Sequence, residues 1–293
     1  MTPDQRIRIM IVILGLILVA CIYFTTNMNE ELQGTRVSHQ GPDTKKYDCV
    51  ISINVHERFD FLMKQLQNIK ENVHCKYCIV LNCNQEMYDL CQKNIDELAT
   101  HVHAHDIAFN KQTHHGSLTR GIYTNMVYML QSVDFEYFIV ASSRSMFTNQ
   151  LSLGDLHSMK LVIDKEHVNR IDTNVDDVYK TYETWHWPNF FGTLLAKKYI
   201  ANKTPLYSSP HEGLCFTRKG CEQIVGFLEG HADIRDNLFQ HDGCVEEFSL
   251  QSIAMAQGES FFYIGNGCCT DGIIGPNAPH SELKRFMYKM PRV

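Results

Sequence analysis

Three glutamates stand where the surrounding sequence gives a carboxylate little structural reason to be. Glu212 sits beside Gly213 at the start of the apolar run Leu214-Cys215-Phe216, and Glu246 and Glu247 follow Gly243 just ahead of an apolar, helix-like segment. Any of the three can take a proton from an attacking hydroxyl, the work of a general base. Glu246 and Glu247 equally suit an ordinary first helical turn, where negative charge is favoured. Trp185 and Trp187, the chain's two tryptophans, lie in an irregular polar stretch. Such rings either stack on sugars or pack a core, and the polar context favours the first use. His101, His103 and His105 alternate and would share one strand face, which suits a solvated edge better than a metal site. Cys75-x2-Cys78, followed by Cys83 and Cys91, has zinc-ligand spacing, but strand alternation over 76–81 buries Cys78.

These residues need a scaffold, and the apolar periodicity supplies one. Cys49–Val55 reads as a buried parallel strand, and Phe59, Leu62, Leu66, Ile69 and Val73 follow at helical spacing. Tyr77–Leu81 predicts a second strand, 85–99 a second helix and 102–108 a third strand. Gly116-Ser117-Leu118-Thr119 opens a helix bearing Ile122, Met126, Met129 and Leu130, and Tyr137–Ala141 is a strand ending in Ser142-Ser143-Arg144-Ser145. Repeated strand–helix alternation implies an α/β fold with a mostly parallel sheet flanked by helices. Ligands of such sheets bind beyond the carboxyl ends of the strands, so His56-Glu57-Arg58, Asn82-Cys83-Asn84 and Ser142–Ser145 form the expected pocket wall.

The 293 residues carry a formal charge of −6, which argues against a nucleic-acid binder, and 44% hydrophobic content, which excludes a disordered chain. Residues 9–26 form an uncharged run of 18, preceded by Arg6 and Arg8 and followed by Glu30 and Glu31. That pattern predicts a signal-anchor helix with residues 1–8 in the cytosol and a type II topology. Residues 27–47 read as a stem and 48–293 as the luminal domain. The ten cysteines beyond the anchor suit disulfides in an oxidising lumen, with their pairing open. Asn202-Lys203-Thr204 is a glycosylation sequon followed by Pro205.

The order of these motifs resembles the core-2/I-branching β-1,6-N-acetylglucosaminyltransferases and the related peptide xylosyltransferases. The likeness is carried by Val55-His56 after the first strand, Tyr77–Asn82, the Gly116-Ser117 helix start and Phe135–Val140 with its polar turn. Glu212–Arg218 and Val245–Phe248 extend it, so that it spans roughly 48–256. The resemblance implies a GT-A-like, Rossmann-related transferase that inverts the anomeric centre without a metal. Its donor would be a UDP-sugar carrying GlcNAc or xylose, its acceptor a glycan or glycoprotein, and its location the Golgi or ER membrane. Donor-binding positions would be Val55, His56, Arg58, Asn82, Ser142, Ser143 and Arg144, with Lys284 and Arg285 neutralising the diphosphate. Glu212 is the preferred base, Glu246 and Glu247 its rivals, and Trp185 and Trp187 the acceptor platform.

The sequence agrees with the metal-free expectation in one respect: Ser-Ser-Arg-Ser stands where an Asp-x-Asp would hold an ion, and no Asp-x-Asp occurs elsewhere. Asn82 departs from the family's usual Asp, which leaves base and sugar preference open. Two alternatives stand beside this reading: a non-catalytic, membrane-anchored glycan-binding protein of the same fold, and a metal-dependent transferase using Asp172, Asp176 or Asp177.

Overall fold

The computed structural model describes residues 45–55, 58–94, 96–98, 107–111, 118–160, 168–184, 186–241, 243–265 and 286–289. The chain opens with β1 (Lys46–Val55), α1 (Phe59–Asn72), β2 (Tyr77–Cys83), α2 (Gln85–Lys93), β3 (Ile107–Lys111), α3 (Leu118–Ser132) and β4 (Asp134–Ser142). A tight turn leads into β5 (Ser145–Phe147), followed by α4 (Leu153–Lys160), β6 (Asn169–Ile171) and the short helices α5 (Val178–Thr181) and α6 (Trp187–Phe191). Then come α7 (Leu194–Ala201), β7 (Leu206–Ser208), β8 (Leu214–Thr217), α8 (Arg218–Gly230) and α9 (Ala232–Phe239). A 3-10 turn (Val245–Glu247), α10 (Ser249–Ala256), β9 (Phe261–Tyr263) and β10 (Met287–Lys289) complete the order.

The main sheet has the order β3-β2-β1-β4-β8-β9. Its first four strands are parallel, and β8 and β9 extend it antiparallel. This mixed α/β architecture is compatible with the GT-A-like arrangement. The first strand begins at Lys46, inside the expected stem, and the third strand is described over 107–111, with residues 102–106 of the expected 102–108 strand lying outside the described residues. His101, His103 and His105 lie outside the described residues. Among the described residues no helix is long and apolar enough to cross a membrane, and the expected anchor at 9–26 lies outside them.

Strand alternation divides the core into two layers. Cys49, Ile51, Ile53, Ile79, Leu81 and Ile139 pack with Leu62, Leu66 and Ile69 of α1. On the opposite face Val50, Val80, Phe138 and Phe216 pack with Ile122 and Met126 of α3. The spacing of Leu62, Leu66 and Ile69 gives α1 one apolar stripe, so burial of that stripe, more than intrinsic propensity, makes the segment a helix. Cys78 faces the α3 layer and Cys75 packs at the margin of the α1 layer, so the two cysteines of the Cys-x2-Cys spacing point into different layers and do not form a zinc centre.

A buried polar seam joins α3 to the sheet near the strands' carboxyl ends. Asn125 donates to Ser52 Oγ at 2.9 Å, Asn82 to Thr124 Oγ1 at 3.1 Å and Asn54 to the Leu118 carbonyl at 3.1 Å. Gly121 permits this approach, because a Cβ there would meet the Asn54 carboxamide, with Asn54 Cγ and Asn82 Oδ1 both at 2.9 Å. Arg218 closes the other end of α3 by donating to the Leu130 and Val133 carbonyls, where a cation suits the helix dipole.

Two glycines in helices make a contrasting test. Alanine gains about 1 kcal/mol of helix propensity over glycine, and Gly226 of α8 is exposed with nothing near its missing Cβ. Gly226→Ala is expected to stabilise the chain by about that amount. At Gly121 a clash worth about 1–3 kcal/mol or more outweighs the same gain. Urea unfolding should therefore show Gly121→Ala destabilised; equal stabilisation by both substitutions would contradict the close approach.

Candidate functional site

The three glutamates converge on a histidine. His211 is buried with Glu212, Glu246 and Glu247 around it, the four residues being 4–6% exposed. His211 Nε2 lies 3.1 Å from Glu212 Oε1, and Nδ1 lies 3.8 Å from Glu246 Oε1 and 3.7 Å from Glu247 Oε1. The Nδ1 atom and Glu247 Oε2 make no hydrogen bond.

Local backbone chemistry places this cluster. Gly213 adopts φ +96, a left-handed conformation that glycine accepts without strain. Its N–H donates to the Val140 carbonyl at 2.8 Å, and its own carbonyl accepts from Ile264 N–H at 2.8 Å. A Cβ on Gly213 would lie 2.7 Å from Gly265 Cα. Glu212 therefore hangs at the carboxyl end of β4, just before β8 departs antiparallel to it. On the other side, Ser209 N–H donates to the Glu247 carbonyl at 3.0 Å, and Gln251 donates to Ser209 Oγ at 3.1 Å. These bonds stitch the 207–211 segment to the turn carrying Glu246 and Glu247.

Trp187 secures that turn from below. Its ring meets Phe248, the residue after Glu247, edge-on at 4.5 Å, and stacks near Phe191 at 5.9 Å; Phe190 stacks on Phe248 at 5.1 Å. With 5% exposure Trp187 is a packing residue, and the expectation of an acceptor platform does not hold for it. The polar stretch around it misled because α6 is only five residues long and too short to show a period. Trp185 lies outside the described residues.

The expected donor wall separates into three groups. Asn82 and Ser142 end neighbouring parts of the same sheet and are buried, as are Val55 and Ser143. Ser142 N–H donates to Ser145 Oγ at 2.9 Å, and the Gln65 amide donates to the Ser142 and Ser145 carbonyls at 2.8 Å each, fixing the turn that carries Arg144. Arg58 does not join them: it is exposed, bonds Asp60 through two nitrogens at 2.9 and 2.7 Å, and lies over the Phe61 ring. His56, Lys284 and Arg285 lie outside the described residues. Asp172, Asp176 and Asp177 are exposed around α5, where Asp172 accepts from Asn174 and Asp177 pairs with Lys180. They build no metal cluster. Among the described residues the group able to hold an ion is His211, Glu212 and Glu247, whose ligand atoms lie within 4.8 Å of one another.

His211 and Gln65 escaped the sequence reading. Both carried a signal: a histidine directly beside the suspect Glu212, and an amide on the apolar stripe of α1.

No known protein family matches the chain, and no curated protein is similar to it. Solved structures similar to part of it include the crystal structure of S. aureus TarS, at 11% identity and a TM-score of 0.28, over 38% of this chain and 19% of that one. The chain thus spans about a fifth of that protein's length.

Charge balance governs the cluster. Burial pulls the His211 imidazole toward its neutral form, but Glu212, with Glu247 and Glu246 behind it, outweighs this and holds its pKa up at about 9. Burial pushes the Glu246 carboxyl up to about 7, partly offset by the facing imidazole. Both groups bind a proton more tightly folded than unfolded, so both contributions to stability fall as pH rises. The Glu246 contribution is complete below 4.5 and lost through about 7; the His211 contribution is complete below 6.5 and lost through about 9. The unfolding free energy measured in urea should therefore decline between pH 5 and pH 9, and Glu246→Gln should flatten the lower half of that decline. A stability that rises with pH over this range would contradict the assignment.

Proposed function

We propose that the chain is a type II membrane glycosyltransferase, anchored through residues 9–26 in the ER or Golgi membrane. It transfers a sugar, GlcNAc or xylose, from a UDP-sugar to a glycan or glycoprotein acceptor, with inversion and without a resident metal. The observation that supports this most is the convergence of Glu212, Glu246 and Glu247 on His211 at the carboxyl end of β4, in a sheet whose β1 and β2 end in Asn54 and Asn82 at the same edge. Open α/β sheets bind their ligands at that edge.

In this reading the acceptor hydroxyl gives its proton to Glu246 as its oxygen attacks the anomeric carbon. The bond from that carbon to the diphosphate breaks on the opposite face, UDP leaves with the bonding pair, and the single displacement inverts the centre. Glu246 is preferred over Glu212 because its proton affinity lies near neutral pH, where a base works best, whereas Glu212 is held at 3.1 Å by His211. Arg144, Lys284 and Arg285 supply positive charge to the leaving diphosphate. The burial of Glu246 requires the bound acceptor to displace part of its cover.

A second reading, a metal-dependent transferase, is favoured by the spacing of His211, Glu212 and Glu247. Turnover of a panel of UDP-sugars by the full chain, with a chelator in one arm, separates the two. Activity that survives chelation is expected, and Glu246→Gln should lower it by about 10²–10⁴-fold with little change in nucleotide affinity. Activity restored only by added divalent ion would establish the second reading. A folded chain that binds glycan but releases no UDP from any donor would replace both with the non-catalytic one.

A further inference from the structure

The amino end of the parallel sheet holds a second reactive arrangement, unrelated to the carboxylate cluster. Cys49 of β1 and Cys75, in the turn before β2, lie with their sulfur atoms 3.5 Å apart, although they are 26 positions apart in sequence. Both are thiols. Cys49 is fully buried, whereas Cys75 is partly exposed. The backbone already draws the two segments together: Asp48 N–H and Cys49 N–H both donate to the Lys76 carbonyl, at 2.7 and 3.2 Å, and Lys76 N–H donates to the Asp48 carboxylate at 2.8 Å. The turn is thus fixed by hydrogen bonds on either side of the sulfur pair, and little chain movement separates contact from covalent bonding.

We propose that Cys49 and Cys75 form a structural disulfide that staples β1 to the start of β2. The asymmetry in exposure sets the order of events. A disulfide oxidant such as oxidised glutathione reaches Cys75, whose thiolate attacks it and releases one glutathione thiolate. Cys49 then loses its proton and attacks the Cys75 sulfur of the mixed disulfide, expelling the second glutathione thiolate. Two protein thiols are oxidised, one glutathione disulfide is reduced, and the protons pass to solvent. Burial and the hydrogen bond to Cys75 keep Cys49 protonated until that point, which makes it the resolving thiol.

Position determines what the bond does. Cys49 lies five residues before Asn54 on β1, about 16 Å along an extended strand, so the staple sits at the opposite end of the sheet from the carboxylate cluster. It closes a loop containing all of α1 and removes freedom from the unfolded chain, a gain that grows with loop length. Cys83 and Cys91 provide an internal comparison, since both are wholly buried, neighbouring thiols without an exposed member.

The full chain, purified reduced and titrated with oxidised glutathione, tests the proposal by peptide mapping under non-reducing conditions. A peptide pair joined through Cys49 and Cys75 is expected, with the melting temperature raised by about 5 °C or more and that rise lost in Cys75→Ser. A Cys75 that stays open to iodoacetamide, stops at the glutathione adduct or joins another cysteine would overturn it. Mapping needs only the unmodified sequence, so the result stands even where the serine variant fails to fold.

Discussion

Burying three carboxylates against one imidazole leaves a charge imbalance that the rest of this structure has to accommodate. With every group ionised, Glu212, Glu246 and Glu247 would outnumber His211 by two negative charges in surroundings only 4–6% exposed. Such a cluster persists only when protons or a cation reduce that excess. The imidazole is held protonated and Glu246 is held near its own titration point, so one proton remains loosely shared at neutral pH. A group with a proton affinity close to ambient pH is the kind that can accept and return a proton during a reaction. Removing His211 would strand the carboxylates, which makes the histidine a structural requirement of the site as well as an electrostatic one.

The surrounding fold is organised to hold that imbalance in place. Gly213 turns the chain so that Glu212 ends β4's side of the sheet, and the Trp187–Phe190–Phe248 block grips the residue next to Glu247. The polar seam under α3 brings Asn54 and Asn82 to the same carboxyl edge, at the cost of amide oxygens without partners: Asn54 Oδ1 and Asn82 Oδ1 are buried and unbonded. Polar groups left unpaired at a sheet edge are expensive to keep. They share the carboxyl edge of the sheet with Ser142, through the register Asn82–Asn54–Ser142.

Much of this was legible from residue order alone. The run from β1 to β4 follows directly from alternating apolar stretches, because buried parallel strands and one-sided helices leave distinct periods. The glutamates were legible as well, each standing out against apolar neighbours. His211 was not, because a histidine next to a glutamate has many uses and only the fold shows that two further carboxylates from residues 246 and 247 reach it. Trp187 was misread for the complementary reason: its short helix has no measurable period, and its ring partners include Phe248, 61 positions away in sequence. Of the expected third strand, 107 and 108 pair with β2, and the pairing runs on through the polar Asn110 and Lys111, where apolar periodicity gave no sign of a strand. Arg58 looked like a ligand contact from its place after β1, yet Asp60 two residues on provides a local partner that sequence order cannot rank.

The account depends most directly on the ionisation state of His211. Nitrogen chemical shifts of its imidazole, followed by NMR on histidine-labelled protein and assigned with His211→Gln, report that state at each pH. A ring that stays an imidazolium through neutral pH and titrates near 9 is predicted. A ring that is neutral at pH 7 would contradict the charge balance on which the proposed base rests.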